Sequence, residues 1–336
     1  MATLYRYRDS LVPNTAALAY AFGGYAAGVA LLCARSPWLA AAGVVLLAHA
    51  MIVSAYLLHD AAHQAMFRSP RANARCGAAL AWLNGGCYAP FDALRHKHMR
   101  HHVDRADIVT FDAKGFLLAL PAPLRRAIVV LEWAYVPAVE LLMHGYVIAM
   151  PFVDARRRAQ RRHVLLVAAI RTVLFGVLAW MSAKAVLLYL LAWLVCLTVL
   201  RFADAYQHTY DAFPALRDDA PIPADKLRDR AYEQRNTYSN LVSVRFPWLN
   251  LLLLNFSYHN AHHDRPVEPW HRLPAAHAKL YRDDDSQVIP MSRLLRTFHR
   301  HRVTRLLSAG YGSVDVSAKQ MDDFYGAVGV SFLTAV

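Results

Sequence analysis

The chain is 336 residues long and 57% hydrophobic, with a mean hydropathy of +0.21 and a formal net charge of +13. So apolar a composition excludes an ordinary soluble domain and points to an integral membrane protein. No basic segment interleaves aromatics on a soluble module, so the charge reads as a topology and anionic-lipid signal, and no nucleic-acid partner is expected.

Residues 15–34 and 37–58 are uncharged runs, each long enough to cross a hydrocarbon core. Only Arg35 and Ser36 separate them, which predicts a helical hairpin. The short polar lead before the first run offers no convincing cleavage site, so the first span is expected to stay as an anchor. His59 and His63, in the run HDAAH, continue the second helix by one turn and share a face. His49 lies about 15 Å further along that helix axis and is read as a packed or tunnel-lining residue. Residues 77–90 are apolar but too short to span, and Gly85 and Gly86 break them. They suit a re-entrant or interfacial segment leading into HMRHH, residues 98–102, where His98, His101 and His102 face one way. His96 points away, to the surface or an outer layer around the site. Asp60, Asp92, Asp104 and Asp107 flank these runs, and Asp60 is the one singled out to accept a ring N–H.

Residues 127–153 are long enough to cross but hold Glu132, Glu140, His144, Pro137 and Pro151, and are read as an interfacial or site-packing helix. A second hairpin is predicted from 164–183 and 185–203, with its turn at Lys184 and with Arg171 snorkelling to the nearer surface. Asp204 and His208 extend the fourth span, four apart on one face. Residues 210–245 read as a polar cytoplasmic loop, and the short apolar stretch 247–258 delivers HNAHH, residues 259–263. Residues 290–307 set leucines and a phenylalanine among arginines, like a basic interfacial helix. The fold class expected is an all-α integral membrane protein of two transmembrane hairpins. A cytoplasmic helical cap, residues 59–163 and 204–336, completes a single domain of residues 1–336.

The hairpin tips carry just Arg35 and Lys184. The other ends carry Arg6, Arg8, Arg68, Arg71, Arg75, Arg156, Arg157, Arg158, Arg161 and Arg162. By the positive-inside rule both termini and all the histidine runs face the cytoplasm, as in a bacterial inner membrane. Cys33, Cys76, Cys87 and Cys196 form no CxxC pair, so neither a structural zinc motif nor an iron–sulfur motif is present.

Eight histidines in three tight runs exceed what one ion accepts, so two metal ions in one helical site is the economical reading. His208 brings the candidate ligands to nine. Two structural zincs would be saturated and idle, and a catalytic zinc pair usually shows more carboxylates. Iron held by nitrogen ligands with open positions can reduce O2, the oxidant that an unactivated C–H bond requires. A membrane metal transporter or sensor is the rival from another class. Transporters usually place ligands near the bilayer midplane, whereas these sit past the span ends.

In the three runs HDAAH (59–63), HMRHH (98–102) and HNAHH (259–263), with the hairpin–hairpin topology between them, the chain resembles the membrane fatty acid desaturase family of non-haem di-iron enzymes from about residue 15 to 280. The resemblance implies that His59, His63, His98, His101, His102, His259, His262 and His263 bind two irons. It also implies that O2 is a co-substrate and an acyl chain in the bilayer is desaturated to a C=C bond. His208 matches a ninth histidine found in acyl-CoA desaturases, where an asparagine lies four residues earlier. Asp204 stands at that place here, free to bind iron, bridge through water or orient a histidine, and an acyl-CoA preference does not carry over with it. Similar enzymes are hydroxylases or ketolases acting on an alkane, lipid or carotenoid, and that is the alternative reading. No His-Pro-Gly-Gly or cysteine-rich motif appears, so electrons must come from a separate donor, a ferredoxin or a small cytochrome with its reductase. The basic face would steer an acidic partner.

Overall fold

The computed structural model describes residues 4–214, 222–282, 287–308, 310–315 and 321–335. Residues 215–221 of the expected loop lie outside them. In chain order the helices begin with α1 (Leu11–Leu32), α2 (Pro37–Ala62), α3 (Pro70–Asn84) and α4 (Phe91–Asp104). A three-residue strand, β1 (Asp107–Val109), precedes α5 (Ala113–Ala119), α6 (Ala122–Trp133), α7 (Ala138–Val153), α8 (Arg161–Met181) and α9 (Ala183–Asp204). After β2 (Ala212–Pro214) come α10 (Arg230–Arg235), α11 (His259–Asp264), α12 (Leu273–Leu280), α13 (Met291–Arg300) and α14 (Thr304–Leu307). The described residues are all-α apart from the parallel pair β1–β2, in register Asp107↔Ala212 and Val109↔Pro214.

Four helices are long and apolar enough to cross a membrane: Arg8–Leu32, Pro37–Ala62, Ala155–Met181 and Ala183–Asp204. They coincide with the two hairpins expected from hydropathy. The chain divides into two compact units. The first comprises Met1–Arg95, His144–Val199 and Leu333–Val336, and so holds α1, α2, α3, α8 and most of α9. Ser36 caps α2 by accepting from the Leu39 N–H, with Pro37 at the first helical position, where its missing donor costs nothing. The α1–α2 hairpin is close: a Cβ on Gly28 would stand 2.9 Å from the Leu47 Cβ, and one on Gly43 2.8 Å from the Leu31 Cβ. Helix α3 stops at Gly85, which takes a left-handed φ of +93°.

Two details of this unit differ from expectation. The second hairpin turns at Ser182, whose backbone is extended, and Lys184 sits in the first turn of α9, donating to the Ala34 carbonyl at 2.7 Å. Arg171, expected to snorkel, has protein partners in this unit. It donates to the Trp82 carbonyl at 2.6 Å, the Tyr189 hydroxyl at 3.2 Å and the Cys87 sulfur, answering the free carbonyls at the end of α3.

The second unit comprises His96–Met143 and Leu200–Phe332. Its core joins Ala205, Tyr206, Tyr238, Ile289, Leu294, Phe298, Met321 and Phe324. A smaller cluster of Leu241, Tyr258, Ala261, Leu273 and Ala276 underlies α11. The single helix expected over 127–153 is two, α6 and α7, meeting at 119°. Tyr135 in the left-handed region (φ +63°) and Pro137 break it, and the Glu132 carboxylate accepts from the Val139 N–H at 2.9 Å, capping the new helix. Glu132 and Glu140 both pair with the buried Arg201, the latter at 3.2 Å, which explains carboxylates in so apolar a stretch. The segment 222–245 is no plain loop: it holds α10 and a buried run from Thr237 to Leu241. In the basic tail, Leu294, Phe298 and Leu306 are buried, whereas Leu295 and Leu307 are exposed.

Candidate metal centre

Helix α4 carries His98, His101 and His102 at spacings of three and four, and α11 does the same for His259, His262 and His263. His208 reaches the site differently from expectation. Helix α9 ends at Asp204, and the chain then turns through residues 205–207 before His208 bridges to Thr237. Its backbone bonds go sideways, from the Tyr238 N–H to the Gln207 carbonyl (2.8 Å) and from the Thr209 N–H to the Asn236 carbonyl (3.0 Å). Asp204 and His208 therefore do not share a helical face.

His101, His208, His259 and His263 each offer a ring nitrogen within 4.8 Å of the others. The Nε2 atoms of His101 and His208 are 3.1 Å apart, and those of His259 and His208 are 2.7 Å apart. The opposite edges of the rings fix the protons. His101 Nδ1–H donates to the Ala106 carbonyl at 2.9 Å, and that oxygen can only accept. His263 Nδ1–H donates to the Glu233 carboxylate at 3.1 Å, and His208 Nδ1 bonds the Thr237 hydroxyl at 3.2 Å. The bare lone pairs of His101 and His263 thus sit on Nε2, within a group of four rings whose nitrogens lie within 4.8 Å of one another. His263 Nε2 is buried with no hydrogen-bond partner. Protons are not the remedy. Burial pushes His101 down to about 4 and His262 to about 3, and holds His208, His259 and His263 well below the usual imidazole value. Neutral imidazoles with inward lone pairs fit a transition-metal cation.

A second set in this unit comprises His98, His102 and His262. His102 Nε2 lies 3.1 Å from His98 Nε2 and 3.2 Å from His262 Nε2. In the first unit, His59 and His63 close the C-terminal end of α2 as expected, both buried, with ring centroids 4.6 Å apart.

The other candidates fall elsewhere. His96 is exposed on α4 and belongs to no metal-capable group among the described residues. Asp60 is buried, but its Oδ1 is 3.9 Å from the His59 Nδ1, too far for a hydrogen bond. Asp204 is likewise in no metal-capable group. It shares a buried charge cluster with Asp107 and Lys97, whose ammonium burial pushes down to about 7. Asp107 lies 3.6 Å from His101 Nδ1 and accepts from the Tyr311 hydroxyl at 2.7 Å, and burial pushes its carboxyl up to about 7. Asp92 is exposed, and Asp104 pairs with Arg100 at 2.9 Å along the helix.

Sequence reasoning missed Glu233, Thr237 and the Ala106 carbonyl. Each is remote from the ring it holds or lies on the backbone, and no spacing marks them. Asn260, inside HNAHH, is also structural. Its amide donates to the Thr237 carbonyl at 2.7 Å and its Oδ1 accepts from the Ser239 hydroxyl at 2.8 Å, tying α11 to the segment that bridges His208.

Among curated proteins none matches the chain. The family described as "Fatty acid desaturase" matches residues 36–294, a range that takes in all three histidine runs and His208. Matched over most of its length and carrying clustered imidazoles suited to metal, the chain belongs to the fatty acid desaturase family.

Proposed function

We propose that this protein is an O2-dependent membrane desaturase that introduces a C=C bond into an acyl chain. In this reading two irons are held by His59, His63, His98, His101, His102, His208, His259, His262 and His263. The observation that carries it is the crowding of four imidazoles, ring nitrogen against ring nitrogen, in a buried, proton-averse site. Iron bound there supplies the activation of O2 that oxidation of an unactivated methylene requires. The chain's own residues keep the imidazoles neutral, fix the tautomers of His101 and His263 through Ala106 and Glu233, hold the His208 ring at Thr237, and bury the ring nitrogens away from water. Family membership makes the protein an oxidoreductase and sets aside the transporter or sensor.

Within the family the rival reaction is hydroxylation or ketolation of an alkane, lipid or carotenoid. Desaturation requires two neighbouring carbons to be held close to the productive geometry, within about 1 Å. Expression in a host lacking unsaturated lipids, followed by mass spectrometry of the acyl chains, separates the two. New double bonds support the desaturase; hydroxyl or keto groups alone assign the chain to the rival reaction.

Electrons are assigned to a separate acidic donor, a ferredoxin or small cytochrome, and turnover with NADPH alone argues against that. Both termini and the histidine runs are assigned to the cytoplasm, with Arg35 and Lys184 on the far side.

A further inference from the structure

We propose that Glu233 is a positioning residue for the metal centre: an outer carboxylate that fixes His263 and, through the basicity of that imidazole, sets metal affinity and potential. The role rests on His263 being a metal ligand. Glu233 is only 3% exposed, and its two oxygens are divided between two tasks. Oε1 takes the His263 Nδ1–H at 3.1 Å, while Oε2 takes the Arg105 Nε–H at 3.0 Å and lies 3.7 Å from Arg230.

The scaffold around it is built for this aim. Helix α10 is a single short turn and a half, started by Asp229 accepting from the Tyr232 N–H at 2.8 Å. Arg105 takes a left-handed φ of +49° directly after α4, a conformation that favours glycine, and from there also donates to the Arg228 carbonyl at 2.8 Å. The arginines hold the carboxylate in place, so the ring can be held by it in turn.

Within the group of four, the partners differ in electron-donating strength. His101 donates to a neutral carbonyl and His208 bonds a hydroxyl, whereas His263 donates to a carboxylate. A carboxylate on Nδ1–H raises the basicity of Nε2, and Nε2 is the buried atom of His263 without a partner. Of these three rings His263 is therefore the strongest donor and the one that favours the more oxidised metal.

The test uses the full-length protein in detergent, as wild type and as Glu233→Gln, Glu233→Ala and Arg105→Gln. Cobalt(II) serves as the probe of affinity, read by its visible absorption, and spectroelectrochemistry of the iron-loaded protein gives the potential. Loss of an outer partner typically lowers metal affinity by about 10–100-fold. Glu233→Gln keeps an acceptor but loses the charge, so it is expected at about the tenfold end of that range, with Glu233→Ala weaker still. The iron potential of Glu233→Gln should rise, with each tenfold shift toward iron(II) corresponding to 59 mV. Arg105→Gln, which leaves the His263 bond intact, should change both readouts much less. Wild-type affinity and potential in Glu233→Gln overturn the proposal, as does an Arg105→Gln effect equal to it, which would make the ion pair the whole role. A wild-type chain that takes up no cobalt defeats the metal-centre reading itself, and this role with it.

Discussion

His101 shows how one side chain records what its site is for. Its Nδ1–H is spent on the Ala106 carbonyl, its Nε2 faces that of His208 at 3.1 Å, and burial keeps it from solving the clash with a proton. The same property sets a pH dependence for the metal-free protein. Unfolded, the imidazole binds a proton near its ordinary value of 6.5; folded, it does so at about 4. The unfolded chain therefore holds more protons between those values, and the stability present above pH 6.5 is lost as pH falls toward 4. His208, His259, His262 and His263 are shifted the same way and add to the loss. Thermal unfolding of metal-free protein at pH 7.5, 6 and 5 should show a steadily falling Tm, and a flat profile would contradict the burial argument. At this scale the ligand-type residues were legible, because spacings of three and four on a helix are a local property. The residues that orient them were not. Glu233 is 30 positions from His263, and their meeting depends on how the chain returns.

Helices α4 and α11 were readable because each histidine run is itself one or two helical turns. The end of α9 was not, because helix propensity continues past Asp204 and only the tertiary partner, residues 236–238, draws the chain into an extended bridge. The break between α6 and α7 was half legible: Pro137 announces it, but the capping of α7 by Glu132 and the pairing of Glu132 and Glu140 with Arg201 do not. Asn260 makes the cost of these connections measurable. Asn260→Ala removes two buried hydrogen bonds and leaves the Thr237 carbonyl and Ser239 hydroxyl short of a partner, for a loss of about 2–3 kcal/mol. Thermal unfolding in detergent should show the lower Tm, together with weaker metal binding, because Thr237 also orients His208. A variant as stable as wild type would remove Asn260 from this role.

Across the whole molecule, hydropathy alone located four span-length helices, since twenty-odd apolar residues in a row have few other uses. Orientation follows from the arginines at one end of the hairpins and is the reading to test by labelling. Single cysteines at positions 184 and 225 should react with an impermeant reagent from outside and from the cytoplasm respectively, and the reverse pattern would overturn the orientation. The division into two compact units was not visible in the sequence, because its boundaries cut through continuous helices such as α4 and α9. Helix α4 carries three of the candidate histidines, all in the second unit, where seven of the nine reside. The nine histidines are proposed to hold iron together, and metal analysis of protein purified from an iron-replete host reads this out. Two irons per chain are expected, with less in a His208→Ala variant that still inserts into the membrane; stoichiometric zinc in an active wild-type preparation would rule the iron centre out.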